Sequence, residues 1–136
     1  MTEQELVRYE VRDRVAEIIM QREPVNAINM ALTQQINAAY RRARDDDQVR
    51  AVILTSDCPA AFSAGMDLAM IRGGSGLDLR AFLEELYFIM HDLQYRVGKP
   101  TIAAMTGPAR AAGVTLAVSC DILIATDQGD MSYPEI

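Results

Sequence analysis

Three short apolar runs, rich in β-branched side chains, alternate along the chain with segments of helical periodicity. The runs cover 51–55, 101–105 and 122–125, with the sequences AVILT, TIAAM and ILIA. A continuous apolar run of this length is typical of a strand that is covered on both faces of a parallel sheet. Parallel neighbours need a crossover connection, so the helical segments between the runs predict β-α-β units and an α/β fold.

The remaining elements follow from periodicity and from residues that start or stop helices. Strands at 7–11 and 15–20 are predicted to form a hairpin around a turn at Asp13 and Arg14. The glycine-rich stretch 73–76 is expected to be a flexible loop. The predicted helices are one capped by Asn29, one from near Asp78 to Gly98, and one over 109–119.

Composition limits the class of protein. The 136 residues are half hydrophobic with a net charge of −6, which predicts a single domain over 1–136 and argues against a nucleic-acid partner. No apolar run reaches the ~20 residues of a membrane span, and the acidic N-terminus lacks a secretory pattern. Cys58 and Cys120 have no metal-ligand spacing, so they are expected to be reduced thiols of a cytoplasmic protein without a metal site.

Two strand-to-helix turns are rich in small residues. The first, at 60–68, has the sequence AAFSAGMDL, and the second, at 107–115, has the sequence GPARAAGVT. Small residues let the backbone approach a ligand closely, and amide N–H groups at a helix start have no partner within the helix. Two such turns at neighbouring strand ends could donate hydrogen bonds to one oxygen atom from two sides, which would make an oxyanion hole of backbone amides.

Taken together with NAIN at 26–29, CD at 120–121 and PEI at 134–136, these turns resemble the crotonase family, the enoyl-CoA hydratase/isomerase superfamily. The resemblance covers nearly the whole chain. It implies the N-terminal part of a crotonase-like acyl-CoA-binding domain, with a ββα spiral core that stops before the C-terminal helices that build trimers. It also implies a homo-oligomer, a trimer or hexamer in the full-length family.

The resemblance assigns the substrate contacts to backbone. The thioester carbonyl would lie between the N–H groups of Met66 and Ala112, where the family commonly has glycine at the second position. Coenzyme A would enter as part of the thioester substrate, with no separate cofactor. Asp67 is also expected to cap a helix. The residues implied to lie against coenzyme A are Pro24, Val25, Ala27, Ala64, Met66, Asp67 and Leu68.

The acid–base positions decide which chemistry the resemblance implies. Hydratases of the family use two glutamates, and their positions correspond to Thr115 and Glu135. A threonine hydroxyl can hold water but is far too weak a base to deprotonate it. One glutamate suffices to move a proton between two carbons of an enolate, so isomerisation is favoured over hydration. His91 is interpreted as a surface or rim residue rather than a base.

Other interpretations stay open at this point. Glu135 could be a surface acid that follows Pro134. The chain could bind acyl-CoA without catalysis, or use the same oxyanion hole for thioester hydrolysis. A structural subunit without a ligand is the third alternative, but it would leave the two small-residue turns unexplained.

Overall fold

The computed structural model describes residues 2–135, and a five-stranded sheet in the order β1-β2-β3-β4-β6 forms its centre. The α/β fold is thereby confirmed. None of its helices is long and apolar enough to cross a membrane. The elements are β1 Val7–Arg12, β2 Val15–Met20, α1 Met30–Asp45, β3 Ala51–Ser56, α2 Leu68–Gly73, α3 Gly76–Leu83, a π-helical segment Glu84–Met90, α4 His91–Arg96, β4 Thr101–Met105, β5 Ala109–Arg110, α5 Ala112–Val118, β6 Ile122–Ala125 and β7 Met131–Ser132.

The predicted hairpin and parallel crossovers are both present. Strands β1 and β2 are antiparallel, and the turn residues Asp13 and Arg14 have φ of 50° and 67°, as two-residue hairpin turns require. Strands β2, β3, β4 and β6 are parallel neighbours. Because parallel strands end at the same edge, the segments that follow β3 and β4 emerge side by side.

The core lies between the sheet and the helices. Helix α1 buries Leu32, Ile36 and Tyr40 completely, and the Asn29 side chain caps it by accepting from the amide of Leu32. Burying a large apolar side chain contributes about 1.5–3 kcal/mol. Cys58 and Cys120 are free thiols, as predicted.

The second predicted helix is longer and less regular than expected. It begins at Gly76, because Ser75 and Asp78 form a capping box, and α2 ends at Gly73, so the loop expected at 73–76 is shortened to Gly74 and Ser75. Its middle, Glu84–Met90, is π-helical, with wider turns than an α-helix. The predicted apolar stripe is buried, at Phe82, Leu86, Met90, Leu93 and Val97.

Two expectations for the last third of the chain are wrong. The helix predicted over 109–119 begins only at Ala112, because Ala109 and Arg110 pair in parallel with β7. Strand β6 was expected to be buried, but Ile122 and Ile124 are 50% and 60% exposed. It is an edge strand of the sheet. Within residues 2–135 nothing covers the side chains of Ile122 and Ile124, whereas Leu123 packs against the core.

Candidate functional site

An open cleft of about 420 Å³ lies where the loop before α1, the turn after β3, the turn before α5 and the end of the chain meet. Five of the seven residues predicted to contact coenzyme A line it, and so does Glu135. The full lining is Ala27, Ala64, Met66, Asp67, Leu68, Ala111, Pro134 and Glu135. Residues from four separate segments, at 27, 64–68, 111 and 134–135, therefore meet at one surface.

The first small-residue turn is held by a short parallel bridge. The amide of Ile28 donates to the carbonyl of Gly65, and the amide of Asp67 donates to the carbonyl of Ile28, at 2.7 and 2.8 Å. In a parallel bridge the residue between these two contacts directs its own amide away from the partner strand. The N–H of Met66 therefore faces away from Ile28.

The second turn packs directly against the first. A Cβ atom on Gly113 would lie 2.5 Å from the carbonyl oxygen of Ser63, so glycine is required for α5 to approach this closely. A Cβ on Gly65 would lie 3.5 Å from the amide nitrogen of Ala112. The glycine that precedes Met66 thus lies directly beside the Ala112 amide.

The amides of Met66 and Ala112 share one further property. Among residues 2–135, neither donates a hydrogen bond to a carbonyl or side-chain oxygen, although the amides on either side of them are engaged or belong to helix starts. A buried donor without a partner is costly. Unpaired amides in adjacent turns are therefore available to an oxygen atom of a ligand.

Asn26 fixes the loop that carries Ala27. Its side chain is fully buried and donates to the hydroxyl of Ser56 and the carbonyl of Phe62, at 2.7 and 3.1 Å. Its Oδ1 accepts from the amide of Arg22 at 2.8 Å. The residue has a φ of 48°, a conformation in which asparagine is several-fold enriched. These bonds connect the loop rigidly to the end of β3.

Arg22 joins the same loop to the first turn. Its guanidinium donates to the carboxylate of Asp67 at 2.8 Å and to the carbonyl of Ala27 at 2.7 Å. Partial burial raises the pKa of Asp67, but the bonds from Arg22 and from the Ala69 amide outweigh it, so the pKa is lower than usual. Asp67 also caps α2, as predicted.

Replacing Asp67 by asparagine is expected to remove the ion pair and keep the cap, since asparagine also caps helices. We expect a loss of about 1 kcal/mol in unfolding free energy near neutral pH, as for a half-buried pair. Because the folded-state pKa is lowered, this contribution is present above the unfolded value of about 3.9 and disappears as the pH falls through the folded value. Urea unfolding of the wild-type and Asp67→Asn proteins from pH 7 to pH 3 measures the difference in unfolding free energy. A difference that does not change with pH would contradict the lowered pKa of Asp67.

Ala111 lines the cleft in an unusual backbone conformation. Its φ is 50° and its ψ is −121°, a combination that an L-residue adopts only under strain. The conformation is imposed from both sides, because its amide donates to the carbonyl of Ser132 and its carbonyl accepts from the amide of Val114. Strain of this kind is common where a backbone is shaped for a ligand.

Glycine at position 111 is expected to relieve this strain. The relief is worth about 1–3 kcal/mol, and glycine costs roughly 0.5–1 kcal/mol in unfolded-state entropy. We therefore expect Ala111→Gly to raise the unfolding free energy by about 1 kcal/mol, measured by urea denaturation. Ala117→Gly, in the interior of α5, is the matched control and should destabilise instead. A destabilised Ala111→Gly protein would show that the strain is absent.

Two hydroxyl groups lie next to the segments that form the cleft, but neither of their residues lines it. Thr115 Oγ1 lies 3.4 Å from the Tyr133 hydroxyl, and either can donate. Thr115 follows Ala112 by one helical turn, so both belong to the same face of α5. Partial burial raises the pKa of Tyr87, and the nearby Glu135 and Tyr133 raise it further. Tyr87 therefore lies within electrostatic reach of the Glu135 carboxylate.

The predicted residues differ in how they relate to the cleft. Val25 does not line it, but its carbonyl accepts from the amide of Ala64 at 2.9 Å. Pro24 is exposed and does not line the cleft. Ala112 does not line it either, whereas Ala111, the residue before it, does. Residues 2–135 contain no group of three or more metal-ligating side chains. Arg22 and Tyr133 were missed, because nothing in their local sequence distinguishes them from surface residues.

Comparison with known proteins places this chain in a family. The sequence profile described as enoyl-CoA hydratase/isomerase matches residues 10–136. A probable enoyl-CoA hydratase of Rhodobacter capsulatus is 37% identical over 120 residues, which cover 88% of this chain and 45% of that protein. A 4-chlorobenzoyl coenzyme A dehalogenase-2 of Arthrobacter sp. is 36% identical over 107 residues, covering 76% of this chain and 38% of that one.

Solved structures agree with the sequence matches. The enoyl-CoA hydratase of Geobacillus kaustophilus has a TM-score of 0.92 at 26% identity, and the match covers 98% of this chain and 51% of that one. An enoyl-CoA hydratase/isomerase of Xanthobacter autotrophicus has a TM-score of 0.87 at 35% identity, covering 98% and 50%. The chain spans about half the length of these relatives. Its α/β spiral is a crotonase-type fold, and the chain belongs to the enoyl-CoA hydratase/isomerase family.

Proposed function

We propose that the cleft binds an acyl-CoA thioester and stabilises its enolate, with Glu135 as the group that transfers the proton. The observation that carries the proposal is the meeting of Met66, Ala64 and Glu135 at one cleft, beside two amides without acceptors in residues 2–135. Family membership supports the substrate class, since the relatives are named for CoA thioesters.

The thioester carbonyl oxygen would accept hydrogen bonds from the amides of Met66 and Ala112. The oxygen of an enolate carries more charge than that of the ground-state carbonyl, so these bonds strengthen as the reaction proceeds. Losing one such donor typically costs about 3–4 kcal/mol of transition-state stabilisation. Alanine at position 112 keeps the N–H group, so the second donor does not require glycine.

Coenzyme A would lie along the backbone of the loop and the first turn. Ala27 and Ala64 present small side chains to the cleft, which lets an extended ligand approach the main chain. The Arg22–Asp67 pair and the buried Asn26 hold these two segments in register. Binding would therefore depend on backbone and shape more than on charged side chains.

Glu135 would remove a proton from one carbon of the acyl chain and return it to another. Thr115 supplies no second carboxylate, so the reaction that one carboxylate can complete is favoured, the isomerisation of 3-enoyl-CoA to 2-enoyl-CoA. The homo-oligomer that the family resemblance implies is part of the same proposal.

Parallel measurements of binding and turnover test the proposal. Calorimetry should show that coenzyme A and acyl-CoA bind, and a spectrophotometric assay should show conversion of 3-enoyl-CoA. Binding without conversion would favour a non-catalytic acyl-CoA-binding protein. Absence of binding would contradict the proposal altogether.

A further inference from the structure

The hydroxyl of Ser63 joins two of the segments that line the cleft. The residue is fully buried, and its Oγ donates to the carbonyl of Asn26 at 2.9 Å and accepts from the amide of Gly65 at 3.2 Å. Asn26 directly precedes Ala27 in the loop before α1. Gly65 directly precedes Met66 in the first turn. One side chain therefore fixes the backbone next to a lining residue in each segment.

The main chain of Ser63 reaches the second turn as well. Its carbonyl accepts from the amide of Arg110 at 2.9 Å, and its amide donates to the carbonyl of Pro108 at 3.4 Å. The two bonds make a parallel bridge between Ser63 and Ala109. The same residue limits the approach of Gly113, because a Cβ there would lie 2.5 Å from the Ser63 carbonyl oxygen and 2.8 Å from its Cβ. Ser63 thus contacts the loop and both turns.

These contacts fix the direction of the Met66 amide. The Met66 N–H and the Gly65 carbonyl belong to one planar peptide unit, so an anchor on Gly65 also sets the direction of that N–H. Gly65 is held on both sides, because its amide donates to Ser63 and its carbonyl accepts from the amide of Ile28 at 2.7 Å. Glycine has the widest conformational freedom of any residue. The two bonds therefore restrict a residue that would otherwise rotate readily.

The position of the Ala112 amide depends on the same serine. Arg110, which donates to the Ser63 carbonyl, lies two residues before Ala112. Gly113, which packs on Ser63, lies one residue after it. An oxyanion hole needs both donors about 2.7–3.1 Å from one oxygen atom. Ser63 is bonded to the residue before Met66 and packs against the residues on either side of Ala112, so it controls the separation between the two amides.

We propose that Ser63 is a positioning residue, which sets the separation and direction of the Met66 and Ala112 amides so that both donate to one substrate oxygen. The inference rests on the proposed acyl-CoA function and identifies the side chain that supports its oxyanion hole. Ser63 does not line the cleft, and no proton passes through it. Its hydroxyl acts by holding Gly65 and Asn26 in place.

Ser63→Ala removes the hydroxyl and keeps the main-chain bridge. A displaced donor weakens the bonds to the enolate oxygen, and a misplacement of ~1 Å can cost about 100-fold in rate. We expect the turnover number for 3-enoyl-CoA to fall by about 10- to 100-fold. The affinity for coenzyme A should stay within about threefold, since the Asn26 side chain still anchors the loop. A turnover number and an affinity that fall together would overturn the inference, because the whole cleft would then be lost.

Thr101→Val is the matched control. The Thr101 hydroxyl is also buried, donates to the carboxylate of Asp121 and accepts from the amide of the same residue, both at 3.0 Å. Thr101 begins β4, at the opposite end of that strand from the second turn. We expect urea unfolding to show comparable losses of unfolding free energy in the two variants, while the turnover number falls only in Ser63→Ala. Equal turnover numbers in the two variants would overturn the inference.

Amide NMR signals test the geometry without turnover. Butyryl-CoA should shift the signals of both Met66 and Ala112 in the wild-type protein, because both amides would donate to its carbonyl oxygen. In Ser63→Ala saturated with the same ligand, at least one of the two shifts should be lost. Two shifts of wild-type size in Ser63→Ala would overturn the inference and leave the proposed function intact. A wild-type protein in which bound butyryl-CoA shifts neither amide would contradict the proposed function, and this inference with it.

Discussion

Glu135→Gln is expected to lower the turnover of 3-enoyl-CoA by at least ~100-fold, because glutamine keeps the shape of the side chain but cannot act as a base. The affinity for coenzyme A should change little, since its proposed contacts are backbone around Ala27, Ala64 and Met66. Steady-state kinetics and calorimetry measure the two effects separately.

The matched control is Glu84→Gln, a carboxylate on the π-helical segment that pairs with Arg80 at the surface. It should leave turnover unchanged. Full activity in Glu135→Gln would exclude the one-carboxylate mechanism. If Thr115→Ala then abolished activity, a water reaction organised by the hydroxyl, such as thioester hydrolysis, would be the better explanation.

Gly65→Ala is expected to have the largest effect on stability. The φ of Gly65 is +89°, and a Cβ there would lie 2.8 Å from the carbonyl oxygen of Arg110 and 3.1 Å from the Cβ of Ala111. The backbone conformation costs about 1–2 kcal/mol for an L-residue, and the overpacking adds about 1–3 kcal/mol. We expect the unfolding free energy to fall by about 2–5 kcal/mol and the two turns to separate.

Gly98→Ala separates these two contributions. Gly98 has a φ of +73°, but a Cβ there would meet nothing within 4 Å, so only the conformational cost of about 1–2 kcal/mol applies. Urea unfolding of both variants measures the difference, and enoyl-CoA turnover should fall only in Gly65→Ala. Equal losses of stability would show that the turns do not pack as closely as described.

Elements with a regular apolar period could be predicted from the sequence. Helix α1 buries all the residues of its predicted stripe, and the stripe from Phe82 to Val97 is buried except for the half-buried Leu83. In β3, which was predicted to be covered on both faces, buried and half-buried residues alternate. Caps were also predictable where the capping residue acts within its own segment, as Asn29 and Asp67 do. These features depend on local geometry, so a single sequence contains them.

Features that depend on distant partners could not be predicted. Ala109 and Arg110 form a strand only because Met131 and Ser132 lie beside them, and small residues in isolation favour the helix that was expected. The exposure of β6 follows from its place at the sheet edge. In a continuous apolar run such as ILIA, the sequence does not distinguish an edge strand from a central one.

The candidate site shows the same division. The two small-residue turns and Glu135 were predicted through the family resemblance, and they do meet at one cleft. The side chains that support them were not, because Arg22 reaches Asp67 across 45 positions and Tyr133 reaches Thr115 across 18. Such long-range polar contacts have no periodic pattern. The oxyanion hole and the role of Glu135 stay predictions.

The central claim is that this cleft forms an enolate from an acyl-CoA, and exchange of α-protons measures that step alone. A saturated acyl-CoA such as butyryl-CoA cannot be hydrated or isomerised, yet its α-carbon can exchange hydrogen with solvent through the enolate. Incubated with the protein in D₂O and followed by proton NMR, it is predicted to lose its α-proton signal, and Glu135→Gln should prevent the loss. Butyryl-CoA that binds the wild-type protein but keeps its α-protons would contradict the claim.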